Sequence, residues 1–301
     1  MCCSRRACKS LLCWFALLAV ADDRSFADES TTRAPLKVLI VDGQNNHEWK
    51  ITTPIMKKYY EQCDRFVVDV ATSPPEKHDM TGFRPQFHNY DVVVSNYNGD
   101  HWPKETEQEF QAFVYNGGGF VVVHAADNAF NGWPEYNEMI GLGGWGGRDE
   151  RSGPYVYFRD GQIIRDDSKG SGGNHGHQHE FLVEHRDTEH PITRGLPPTW
   201  LHAKDELYEK MRGPAKNMHI LATAFADPKQ NGSGRHEPML MTIEYGRGRV
   251  FHTTLGHADY SMRCVGFMTT LLRGTEWAAT GEVTLAVPKD FPTASASSSR
   301  E

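Results

Sequence analysis

Cysteine is nearly absent from the body of the chain. Of six cysteines in 301 residues, Cys2, Cys3, Cys8 and Cys13 cluster at the start, leaving only Cys63 and Cys264. Two thiols so far apart build neither a disulfide framework nor zinc-finger spacing, and each falls in a helical pattern that suits a small buried apolar side chain. Runs of Lys or Arg are also missing. With a formal charge of −7, the chain lacks the basic surface that nucleic-acid binding draws on, so no nucleic-acid partner is expected. No internal repeat is apparent. The apolar run Leu11 to Ala21 is too short to span a bilayer, so no stable membrane anchor is expected.

That run has another reading. Arg5, Arg6 and Lys9 precede it and Ala19-Val20-Ala21 closes it before Asp22, the layout of a secretory leader with a small-residue cleavage site. Residues 1–27 are therefore expected to be a signal peptide, Ala27 offering a second cut, and the mature chain to be exported to the periplasm or outside the cell. Ser4-Arg5-Arg6 leaves the route, general secretory or twin-arginine, open. Residues 28–35 read as a flexible lead-in and the small, polar residues 289–301 as a disordered tail.

Between them the pattern alternates. Leu36 to Val41, Phe66 to Val70, Asp91 to Ser95 and Gly119 to His124 read as strands, with helices opening at Thr52-Thr53-Pro54 and Pro103. Phe120-Val121-Val122-Val123 has no polar alternation, as expected of a central parallel strand buried on both faces. The expectation is one α/β domain over residues 36–288: a flavodoxin-like, doubly wound, mainly parallel sheet with helices on both faces. The Gly- and Trp-rich residues 141–180 interrupt it and read as an inserted cover over the site, with a hairpin near Tyr155 to Ile164. Late in the chain, Pro238 to Glu244 and Arg249 to Thr254 form an antiparallel pair across Tyr245-Gly246-Arg247-Gly248, and a last helix starts at Tyr260.

Fifteen histidines stand out against this frame. His47, His124 and His257 each follow a different strand, and in open α/β sheets ligands sit beyond the carboxyl ends of the strands. Gly170 to Glu180 holds His175, His177 and His179 at alternate positions among glycines, a loop able to wrap a ligand. A metal set of His47, His124, His257, His177, His179 and Glu206 follows. Imidazole plus carboxylate suits a divalent metal, zinc foremost, with manganese, iron or nickel also compatible. His252 reads as structural. Asp127 and Asp259, beside His124 and His257, are candidate catalytic groups with them. Trp49, Tyr97, Trp102, Trp133 and Trp145 could stack on sugar faces while Asn45, Asn46 and Asn98 bond hydroxyls; core packing is the competing role of those rings.

Three motifs in order, the Gly-Gly-Gly-strand-His124 unit, His190-Pro191-Ile192-Thr193 followed by Asp205-Glu206-Leu207-Tyr208, and Gly246-Arg247-Gly248-Arg249-Val250-Phe251 running to Leu255-Gly256-His257, resemble the ThuA-like family, named for trehalose utilisation, over about residues 36–280. The resemblance implies a scaffold similar to the class I glutamine amidotransferase domain and an association with disaccharide use through 3-keto sugars. Amidotransferases carry a cysteine on the turn after the central strand. Here that turn reads His124-Ala125-Ala126-Asp127, and a base without a nucleophile cannot run acyl transfer by that route. The expected function is metal-assisted chemistry on a 3-keto disaccharide or glycoside. The alternative is a domain that only binds carbohydrate.

Overall fold

The computed structural model describes residues 33–301; the expected signal peptide and most of the lead-in lie outside the described residues. Strand β1 (Leu36–Asp42) is followed by helix α1 (Trp49–Glu61), then β2 (Phe66–Thr72), β3 (Val92–Ser95), α2 (Lys104–Tyr115), β4 (Gly119–Val123) and α3 (Pro134–Ile140). A strand-rich stretch comes next: β5 (Tyr155–Arg159), β6 (Gln162–Asp166), β7 (Asn174–His175), β8 (His179–His185), β9 (Thr199–Asp205), β10 (Tyr208–Glu209), β11 (Met218–Phe225), β12 (His236–Tyr245) and β13 (Gly248–Thr253). Two helices, α4 (Asp259–Met262) and α5 (Val265–Thr280), end the order.

The main sheet runs β2-β1-β3-β4-β13-β12-β11-β8-β9, with the β5–β6 hairpin joined to β12. Its first five strands are parallel. The remaining neighbours all pair antiparallel, so the sheet is mixed rather than mainly parallel. The reason is local. Parallel neighbours need a crossover of a dozen or more residues, whereas a glycine-rich hairpin such as Tyr245 to Gly248 returns the chain at once. No α-helix separates β8 from β9 or β11 from β12.

β4 lies at the centre, as its apolar run predicts, and all of Phe120 to Val123 are fully buried. Alternate residues face opposite sides of the sheet. Phe120 and Val122 join Phe110 and Val114 of α2 with Tyr136 and Ile140 of α3; Val121 and Val123 join Phe267 and Leu271 of α5 with Met56 and Tyr60 of α1. Gly119 admits no side chain, since a Cβ there would lie 2.7 Å from the Ala278 carbonyl carbon on α5. α5 touches β3, β4, β13 and also β9, and Trp200 of β9 presses on its Gly266. Strands from both arms of the sheet thus meet the same helix, so the sheet curves around α5.

Three expectations change. α1 starts at Trp49, ahead of Thr52, with Pro54 inside it. The β5–β6 hairpin extends the sheet instead of covering a site, although Trp145, Gly146 and His175 of the same region do line a cavity. Residues 289–301, read as a disordered tail, are tied down: Leu201 N–H donates to Thr293 O and Val265 N–H to Ser298 O, and Phe291 is buried against the core. No helix among the described residues is long and apolar enough to cross a membrane.

Candidate metal centre

Each histidine of the centre is placed by a backbone device at a strand end. After β1, the Asn45 carboxamide accepts from His47 N–H at 3.0 Å and donates to Asn96 O at 3.2 Å, folding the loop back over the sheet. His124 directly follows β4 with φ +47°, a left-handed conformation costing about 1–2 kcal/mol for an L residue. Its Nδ1 lies 2.6 Å from Thr254 O. A carbonyl only accepts, so Nδ1 carries a hydrogen and Nε2 is the nitrogen turned toward the centre.

His257 depends on Gly256, whose φ of +108° and 2.8 Å approach of a would-be Cβ to the Phe267 ring admit only glycine. The buried Asp205 carboxylate then stitches the distant strand ends together. It accepts from Gly256 N–H (2.8 Å), His257 N–H (3.0 Å) and Glu206 N–H (2.8 Å), and pairs with His202 Nε2 at 2.8 Å. Burial opposes charge on His202, but Cys264 and Asp205 outweigh it and lift the imidazole to about 10. One carboxylate therefore orients both Glu206 and His257.

The outcome is convergence. The ring centroids of His47 lie 4.9 Å from His124 and 4.5 Å from His257, and those of His124 and His257 are 5.6 Å apart. Glu206 Oε2 lies 3.6 Å from His124 Nε2 and 3.1 Å from His257 Nδ1. Both nitrogens are buried without a hydrogen-bond partner, an expensive condition unless something else meets them. Two ligands at ~2.0–2.1 Å from a tetrahedral ion sit roughly 3.3 Å apart, and the two distances straddle that spacing. One ligand atom from each of His47, His124, Glu206 and His257 falls within 4.8 Å of the others. The residues fit a divalent metal.

The charges agree. Burial, then repulsion from His124 and His257, pushes His47 down to about 3, leaving it neutral and able to ligate. Burial alone would raise Glu206, but the imidazoles of His124 and His257 beside it hold it well below the usual carboxylate range. Burial likewise opposes charge on His124, and Glu206 and Asp205 overcome it, raising its pKa, so a metal would bind here in place of a proton.

The cluster opens on a cavity of about 350 Å³ walled by the carboxamides of Asn46, Asn98 and Asn128 and by Trp145 and Tyr208. The Tyr208 hydroxyl is 3.2 Å from His47 Nε2, and its ring lies 4.1 Å from His124 and 4.7 Å from Trp145. His175 pairs with Tyr208 across β7 and β10. Its Nδ1 faces Gly176 O at 2.9 Å, which leaves Nε2 free, 3.6 Å from Glu206 Oε1. Gln178 caps the other side, 3.2 Å from Glu206 Oε1 and 3.1 Å from His257 Nε2.

Other expected site residues fall elsewhere. His177 points to solvent while its N–H binds Gln230 O, and His179 bonds the His177 carbonyl at 2.7 Å; of the three loop histidines, His175 reaches the centre. Asp127 is fully buried against His252 at 3.2 Å, and His252 also meets Ile140 O, so that pair serves packing. Asp259 pairs with Arg263 at the start of α4. Trp133, Tyr97 and Trp102 are core rings, Trp133 being only 2% exposed. Asn45, Asn46, Trp49 and Asn98 share a second cavity beside the first. Tyr208 stood in the sequence only as the last residue of the Asp205-Glu206-Leu207-Tyr208 motif, without a role, and Gln178 and Asn128 carried no signal beyond lying near strand ends.

A family profile described as trehalose utilisation, ThuA, matches residues 37–278. Among solved structures, a ThuA-like protein from Parabacteroides merdae is 53% identical, covering 88% of this chain and 98% of its own, with a TM-score of 0.87. A ThuA-like protein from Bacteroides uniformis, 20% identical over 84% of this chain and 94% of its own, has a TM-score of 0.55 and speaks for the fold alone. No curated protein matches the sequence.

Proposed function

The chain belongs to the ThuA family, and from that membership we propose that it is a metal-dependent enzyme acting on a keto sugar glycoside. One observation carries the reading: four groups able to ligate a metal converge at the mouth of a ring-sized cavity walled by three carboxamides and a tryptophan. Carboxamides suit hydroxyls and an indole face suits a sugar ring. A bound divalent ion, zinc foremost, would polarise a substrate carbonyl oxygen there.

The chain's own residues supply the proton chemistry. His175 Nε2 is the base in this reading, replacing Asp127 and Asp259, which are engaged elsewhere. It takes the proton from the carbon between the ketone and the glycosidic carbon. The C–H electron pair forms a double bond to the glycosidic carbon, and the C–O bond breaks with its electrons leaving on oxygen. Burial, then Asp127 and Glu206, keeps the Tyr208 hydroxyl protonated well above its ordinary range, so it can donate to a departing oxygen. We also propose export after removal of the 1–27 leader, supported by the leader's pattern; N-terminal sequencing of the mature protein checks it.

The test is a metal-loaded and a chelator-stripped sample incubated with 3-keto trehalose and followed by mass spectrometry. Release of the sugar leaving group by the loaded protein alone, abolished in His175→Ala, is expected. Binding without release would favour the non-catalytic carbohydrate-binding alternative, and release undiminished by stripping would overturn the metal.

A further inference from the structure

Beside the cavity at the metal centre lies a second one of about 750 Å³. The two share Asn46 and Asn98, whose side chains are bonded to each other at 2.7 Å and form a common wall. The floor of the second cavity is built rather than incidental. Gln44, 4% exposed, donates to Pro74 O at 2.8 Å and accepts from Asp100 N–H at 2.7 Å, fixing the loops after β1, β2 and β3 in one arrangement.

Trp49 stands at its edge. Unlike Tyr97, Trp102 and Trp133, it belongs to none of the apolar clusters, and it is half-buried at the start of α1, with the Lys50 ammonium 5.6 Å from its ring. The wall carries one cation, Lys50, against two carboxylates, Glu76 and Asp100. That balance disfavours a phosphate and suits a neutral polyhydroxyl group with one apolar face.

We infer that the second cavity is a subsite for the leaving-group sugar, stacked on Trp49, while the reacting ring occupies the cavity at the metal centre. This rests on the carbohydrate reading above and adds to it where the leaving-group ring binds and which side chain holds it. A single ring would leave the larger cavity empty.

The test is calorimetric titration of the full, metal-loaded chain with glucose, glucose 6-phosphate, trehalose, maltose and cellobiose, repeated on Trp49→Ala and Trp49→Phe. At least one disaccharide should bind about ten-fold or more tighter than glucose, a gain of about 1.4 kcal/mol, and glucose 6-phosphate no tighter than glucose. Trp49→Ala should bring that ratio to about one with melting temperature unchanged, and Trp49→Phe should restore most of it. A ratio near one in the wild type, or one that survives Trp49→Ala, overturns the subsite while leaving the metal-centre reading intact. If no sugar binds at all, the subsite falls, and release from 3-keto trehalose decides the metal-centre reading separately.

Discussion

The two arms of the sheet divide the work. The parallel arm, β2-β1-β3-β4-β13, is sandwiched between helices, and its strands end in His47, His124 and His257 on adjoining loops. The antiparallel arm, β12-β11-β8-β9, has no helical crossovers and contributes Glu206, with His175 and Tyr208 on the small β7–β10 pair. The difference teaches where stability and chemistry separate: one arm sets three imidazoles by strand position, and the other curves round α5 to deliver the carboxylate, joined through Asp205.

The largest expected effect falls on the parallel arm. Phe120→Ala empties a fully buried ring site in β4 and should cost about 3–5 kcal/mol, read by denaturant unfolding. A loss under about 1 kcal/mol would mean that the two helical layers do not depend on this strand. Next comes the join. Asp205→Asn keeps size but turns an amide toward donors that had bonded carboxylate oxygens, and should cost about 2–3 kcal/mol while weakening metal binding, measured by competition with a chelating dye. Unchanged metal affinity would show that the arms meet without Asp205.

The same contrast explains what was legible beforehand. Phe120 to Val123 named the central strand because a strand buried on both faces needs unbroken apolar sequence. His47, His124 and His257 were recognisable because parallel strands present their ends on one edge. The antiparallel arm hid its contribution. Its curvature around α5 is a tertiary result with no local pattern, so nothing nearby in sequence distinguished His175 from His177 or marked Gln178. Asp127 misled for a related reason: its position after β4 resembled that of a catalytic group, but the turn directs it inward to His252. Core packing likewise claimed Trp133, which by composition alone could have been a sugar platform.

Acid should separate the arms further. Burial holds His47 at about 3 and His185 and His190 at about 4, below the ordinary 6.5. Between about pH 6.5 and 4 the unfolded chain therefore takes up protons at these sites that the folded chain refuses, so stability falls as pH drops. Glu237 works the other way: burial, with Glu209 nearby, raises it to about 7, favouring the fold in acid. His202, lifted to about 10, and the raised His124 also favour the fold in acid, but against an ordinary 6.5 most of their gain is complete by pH 6, so metal-free protein should be less stable at pH 4.5 than at pH 6 in urea titrations; a flat or inverted profile would contradict the balance.

The smallest effect isolates that opposing group. Glu237 is buried and bonded to Ser233 Oγ. Its stabilising contribution is lost as pH rises through about 7, when the folded protein must hold a buried charge. Glu237→Gln should therefore raise the melting temperature by a few degrees at pH 8 and leave it nearly unchanged at pH 4. No gain at pH 8 would place the carboxylate's cost elsewhere.

The central claim is that the two arms meet to hold a metal. Elemental analysis of protein purified without a histidine tag, set beside Glu206→Gln and His124→Ala, tests it most directly. The account predicts about one divalent ion per wild-type chain and under about a tenth of that in either variant, each still melting within a few degrees of the wild type. A wild-type chain free of metal after exposure to zinc, manganese, iron and nickel, or full occupancy retained in both variants, would contradict it.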